Sequence, residues 1–250
     1  MIAARKATGA GRGGKAAGPS CCQAYESCLD CKVRLISVCA ALANDELREI
    51  EVLAQHDTLE AKQTLFLQND PADAVYNVTD GVVRLYKLLP DGRRQIVGFA
   101  LPGDFLGLAM TERYGFCADA VDSTSVCRFA RDAFSRFVDQ KPHVLRRLHA
   151  FATHELSLAH DQMLLLGRRT AEEKVAAFLI GLRQRWARLS GLSVTIPLPM
   201  SRQDIADFLG LTIETVSRTL SRLAREKVIV IVPDGVRLLN PGRMEELASG

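Results

Sequence analysis

The sequence predicts an α+β chain in which a β roll, one long helix and a winged helix-turn-helix follow one another, and three observations predict it. Between about residues 58 and 137, short apolar segments are separated by turn signals at Asn69-Asp70-Pro71, Asp80-Gly81, Pro90-Asp91-Gly92 and Pro102-Gly103. Evenly spaced short strands with Gly and Pro between them make an antiparallel roll or barrel. From Pro142 to about Arg169 the turn signals stop and apolar residues recur with alternating spacings of four and three, the period of a helix. After that, two short helical segments meet at Gly210 and run into a hairpin signal at Pro233-Asp234-Gly235, the layout of a helix-turn-helix with a wing.

The chain starts with a tail, residues 1–20, "MIAARKATGAGRGGKAAGPS", which carries Arg5, Lys6, Arg12 and Lys15 and no acid. It lacks the apolar stretch of a secretory signal and reads as flexible. No later run of about 18 uninterrupted apolar residues offers a membrane span, so a soluble, cytoplasmic protein is expected. With 250 residues, 48% of them apolar, the chain can bury one large or two modest cores. The formal net charge is +3. The tail's four positive charges leave −1 for the rest, so overall basicity is no argument for a nucleic-acid partner. Distribution says more: from Arg168 to Lys227 eleven Lys and Arg face six Asp and Glu, a regional excess of the kind that meets phosphates.

Residues 21–141 are expected to hold a cysteine segment and the β roll. The stretch "SCLDCKVRLISVC" places Cys28, Cys31 and Cys39 close together, and Cys127 lies on a later strand. In a reducing cytosol, clustered cysteines indicate metal or redox chemistry. The spacing alone leaves an iron-sulfur cluster, zinc and plain thiols open. Zinc accepts four thiolates but usually takes two C-x2-C pairs, and here there is one. Cys21 and Cys22 read as free thiols at the tail margin, with Cys22-x5-Cys28 as another ligand choice, and Cys117 as a core residue. Next, "ALANDELREIEVLAQH" predicts a short helix capped by Asn44 or Asp45, with Leu47, Ile50 and Leu53 on one face.

Residues 142–169 form the long helix. Leu145, His149, Ala152, Leu156, Ala159, Met163 and Leu166 make a continuous heptad seam, which favours pairing with a second copy of itself in a parallel homodimer. A helix packed on its own β domain is the alternative. His149 falls on that seam, and a haem-binding role for the helix histidines is a further alternative.

Residues 170–250 are expected to bind DNA. In "SRQDIADFLGLTIETVSRTLSRLAREKVI", Ser201 with Asp204 makes a capping box, Gly210 ends the first helix and Thr212 caps the second. Glu214, Ser217 and Arg218 then share one face near the start of a helix spanning about 213–225. Arg can donate two hydrogen bonds to guanine and Glu can accept one from cytosine, so the trio can read a C·G step in the major groove. Val216 and Leu220 fall on the buried face, and Arg222 and Arg225 toward phosphates or solvent. An enzyme is disfavoured, because no nucleophile-base constellation or nucleotide loop has recognisable spacing.

The order of β roll, dimer helix and winged helix-turn-helix, with "LTIETVSRTLSRL", resembles the CRP/FNR family of bacterial transcription regulators over nearly the whole chain after the tail. Glu214, Ser217 and Arg218 stand at the E-x-x-S-R positions of the FNR branch. The resemblance implies a palindromic double-stranded DNA site of TTGAT-N4-ATCAA type, read by a homodimer that activates transcription through RNA polymerase. Cyclic-nucleotide binders in the family carry an Arg-Ser/Thr-Ala run in the roll. Here Phe116-Cys117-Ala118 stands in its place, and a buried phosphate would lack its cation, so no cyclic nucleotide is expected. Cys28-x2-Cys31-x7-Cys39 with Cys127 resembles the four-cysteine set of oxygen-sensing FNR proteins. This implies a [4Fe-4S] cluster that oxygen converts or destroys.

Overall fold

Residues 27–108 and 112–250 are described by a computed structural model; the tail, Cys21 and Cys22 lie outside them. The cysteine segment runs as successive turns into a 3-10 turn at Val38–Ala41 and the helix α1, Asn44–Leu53. α1 buries Leu47 and Ile50, but neither Asn44 nor Asp45 caps it. The helix begins one residue earlier, with Ala43 at the cap position, because the Glu46 carboxylate accepts the Ala43 N–H at 2.9 Å, which satisfies that end from within the first turn.

Eight strands follow: β1 (Ala54–Leu59), β2 (Thr64–Phe66), β3 (Ala74–Asp80), β4 (Val83–Leu88), β5 (Arg94–Ala100), β6 (Phe105–Leu106), β7 (Cys117–Ala120) and β8 (Thr124–Ala130). They form two antiparallel four-stranded sheets, in the orders β1-β8-β3-β6 and β2-β7-β4-β5, which is the predicted roll. The turn between β3 and β4 needs glycine. Gly81 has φ of +72°, and a Cβ there would come within 2.4 Å of the Ser123 carbonyl oxygen. The roll interior is packed by Phe66, Tyr76, Val78, Val83, Tyr114 and Val126, with the Phe66 and Tyr114 rings stacked at 3.9 Å.

The helix α2 (Arg131–Asp139) leads into α3 (Pro142–Arg168), 27 residues long. A second core joins the outer face of the first sheet to the cysteine segment and these helices: Cys28, Val38, Leu42, Phe105, Cys127, Phe134 and Val144 share it. Then come α4 (Ala171–Ser190), β9 (Thr195–Pro197), α5 (Arg202–Leu209), α6 (Ile213–Arg225), the hairpin β10 (Ile229–Val232) and β11 (Gly235–Leu238), and α7 (Pro241–Ser249). β9 pairs with the hairpin in a three-stranded sheet of order β10-β11-β9. A third core runs without a break from Ile96 and Phe99 of β5 into Phe178, Leu179, Ile205 and Leu220 of the C-terminal helices.

Candidate functional site

The C-terminal site is built by two well-capped helices. Ser201 accepts the Asp204 N–H while the Asp204 carboxylate accepts the Ser201 N–H at 3.0 Å. Gly210 ends α5 in the left-handed region at φ +62°, a conformation that favours glycine. Two residues later the Thr212 hydroxyl accepts the Thr215 N–H at 3.2 Å and starts α6. α6 buries Val216, Thr219, Leu220 and Leu223. That leaves Glu214, Ser217 and Arg218 together on the exposed side of its first turns. The Glu214 carboxyl is held below the usual range, by the backbone N–H at the helix start, by Thr212 and by the Arg218 charge, so it is an acceptor at neutral pH. Arg222 has a role the sequence did not reveal, donating to Glu172 of α4 at 2.5 Å.

The first helix of this pair is fixed to the roll by charge. Arg84 of β4 donates twice to Asp119 of β7, at 2.8 and 2.7 Å, and once to Asp204 of α5 at 2.5 Å. Arg94 of β5 donates to Asp204 at 2.8 Å and to Asp207 at 3.0 Å. Gln95 donates to the Asp207 carbonyl at 2.6 Å. Beneath this network, Phe99 packs against Phe208 and Phe178.

At the other end of the roll, the fold brings Cys28, Cys31, Cys39 and Cys127 into one neighbourhood. Burial, then the sulfurs of Cys31, Cys28 and Cys39, push the Cys127 thiol up to about 12. Burial, then Cys39, Glu51 and Cys31, push Cys28 up to about 12. Burial likewise raises Cys39. Among the described residues no three His, Cys, Asp or Glu side chains are grouped to hold a metal ion. By donor type alone, four cysteine thiols are a set that an iron-sulfur group takes. Cys117, by contrast, is buried and its sulfur accepts the Gln68 N–H at 3.3 Å. His56, which no sequence motif singles out, places its Nδ1 at 3.6 Å from the Cys127 sulfur.

α3 joins these two ends. Val144, Leu148 and Phe151 pack into the cysteine-side core, the 3-10 turn that contains Cys39 lies against the same helix, and Leu165 enters the core under the C-terminal helices. On the other stripe, Leu145, His149, Ala152, Leu156, Ala159, Met163 and Leu166 are all exposed in the single chain; Leu156 and Met163 show 57% and 61% of their surface.

Two families match this chain: the cyclic nucleotide-binding domain over residues 56–141 and the Crp-like helix-turn-helix domain over residues 173–247. The transcriptional activatory protein AadR of Rhodopseudomonas palustris is 58% identical over 228 residues, covering 91% of this chain and 95% of that protein. The nitrogen fixation regulation protein FixK of Bradyrhizobium diazoefficiens is 55% identical over 222 residues, covering 89% and 94%. Among solved structures, FixK2 from Bradyrhizobium japonicum superposes with a TM-score of 0.74 at 39% identity, covering 79% of this chain and 98% of that one. None of the described helices is long and apolar enough to cross a membrane.

Proposed function

Since the chain belongs to the CRP/FNR family of transcription regulators, we propose that it is an oxygen-responsive activator that binds TTGAT-N4-ATCAA-type DNA as a homodimer. The observation that carries the oxygen reading is the gathering of Cys28, Cys31, Cys39 and Cys127 beneath α3. These residues would hold a [4Fe-4S] cluster, which when bound supplies an oxygen-labile link between the N-terminal segment and β8.

The chain's own residues do the rest. Cys39 lies within the 3-10 turn that rests on α3, so fixing Cys39 fixes Val38 and Leu42 against Val144, Leu148 and Phe151. That sets the N-terminal half of α3, whose outer stripe from Leu145 to Leu166 meets a second copy. Pairing then presents two α6 helices to two half-sites, where Arg218 donates to guanine and Glu214 accepts from cytosine. A hundredfold gain in DNA binding needs only about 2.7 kcal/mol of such coupling. The activator role is supported by the AadR and FixK relatives, and an activator acts by contacting RNA polymerase. The Phe116-Cys117-Ala118 run, which carries no cation to pair a cyclic phosphate, supports a protein that takes no cyclic nucleotide.

The test is anaerobic purification with iron and sulfide analysis, a visible spectrum, and binding to a TTGAT-N4-ATCAA duplex as air is admitted. A brown protein that bleaches as DNA affinity falls is expected. A colourless protein with unchanged binding in air would refute the oxygen reading, and zinc in that protein would assign the cysteines to structure.

A further inference from the structure

We propose that His56 and Asn77 are positioning residues for the Cys127 sulfur, setting the potential and air-lability of the iron-sulfur group; this rests on the cluster reading above. β1, β8 and β3 are adjacent in one antiparallel sheet, and His56, Cys127 and Asn77 are direct register partners across them. Residues directly opposite in such a ladder stand on the same face. Here that face is the one on which Val75, Phe105 and Phe129 share a core with Cys28, so it looks toward the cysteine segment.

Two polar groups stand on this face on either side of Cys127. His56 Nδ1 lies 3.6 Å from the sulfur. Asn77 is 2% exposed, and its side-chain oxygen has no hydrogen-bond partner. A buried carboxamide with an unmet oxygen is costly and calls for a reason. A metal-bound thiolate can only accept, so a ring nitrogen facing it must donate. Hydrogen bonds to cysteine sulfur withdraw electron density and raise a cluster's potential. The two ends of a carboxamide exchange by rotation about one bond, so Asn77 can turn its NH2 toward an anionic sulfur group and its oxygen away. The register thus gives Cys127 a donor on one side and an orientable dipole on the other.

The experiment compares the full-length wild type, His56→Leu, His56→Asn and Asn77→Leu after anaerobic reconstitution. It measures iron and sulfide content, midpoint potential and bleaching rate in air. Asn keeps a donor nitrogen near the place of Nδ1, whereas Leu removes it. The expected result is full iron and sulfide in His56→Leu with a more negative potential and bleaching on the order of tenfold faster. His56→Asn should restore both, and Asn77→Leu should shift the potential in the same direction. Wild-type potential and bleaching in both leucine variants would overturn the proposal while the cluster reading stands. A wild-type protein that takes up no iron and sulfide overturns both.

Discussion

Arg218 and Glu214 lie four positions apart on one exposed stripe of α6, and their effects on DNA binding should be separable from simple charge. Arg218→Ala should weaken binding to TTGAT-N4-ATCAA by about 1–3 kcal/mol per half-site and change binding to unrelated DNA far less; fluorescence anisotropy on both duplexes checks this. The thiols give a second expectation. In metal-free protein Cys28 and Cys127 are pushed up to about 12, against about 8.5 in an unfolded chain. The fold therefore favours the neutral thiols. Their contribution to stability is intact below about pH 8.5 and declines as pH rises toward 12. Urea midpoints of wild type and of a Cys28→Ala/Cys127→Ala variant, followed from pH 7 upward, should show the steeper alkaline decline in wild type. The four cysteines were legible in the sequence because C-x2-C places two of them on one turn and a third follows soon after. His56 was not, since its approach to Cys127 depends on strand register between residues 71 positions apart.

α3 carries two apolar stripes, and the sequence showed only one. The seam from Leu145 to Leu166 stands out because its spacing is unbroken, and the structure leaves it on the outside of the chain. Val144, Leu148 and Phe151 form the neighbouring stripe and pack inward. Their partners Val38 and Leu42 lie far away in sequence, so no local pattern announced the contact. The same reasoning explains α7, which is short and is fixed by Asn240 at its start and Met244 in the core; a nine-residue helix has too little periodicity to be read. At this scale the expectation is that Leu156→Glu places like charges at the seam of a pair. Sedimentation velocity should show a shift from dimer to monomer, with DNA affinity falling about a hundredfold as the second recognition helix is lost. A dimer that persists with unchanged affinity would move the interface elsewhere.

Across the whole molecule, the Arg84 network ties the roll to α5 over 120 positions of sequence. Arg84 and Asp204 expose only 11% and 6% of their side chains, so this is a buried pair and its disruption is costly. Arg84→Leu should destabilise the protein by about 3–5 kcal/mol in urea denaturation. Burial alone would raise the Asp204 carboxyl, but the Ser201 hydroxyl and N–H and the Arg84 charge outweigh it and hold it below its ordinary value. The stabilisation it provides is therefore complete above about pH 3.9 and is lost only as pH falls below that. Between pH 5 and 8 the roll-to-α5 contact should not vary.

The order of the three parts was legible, because each has its own period and its own turn residues. The docking of one on another was not, because it depends on Arg84, Arg94 and Phe99 meeting a helix encoded more than a hundred residues later. The continuity of the third core from β5 into α4, α5 and α6 has a mechanical consequence. Because buried side chains of β5 pack directly against α4, α5 and α6, roll and reading head turn together. In the proposed pair the adjustable quantity is then the angle between the two copies, and a small tilt near Cys39 is magnified with distance before it reaches Arg218.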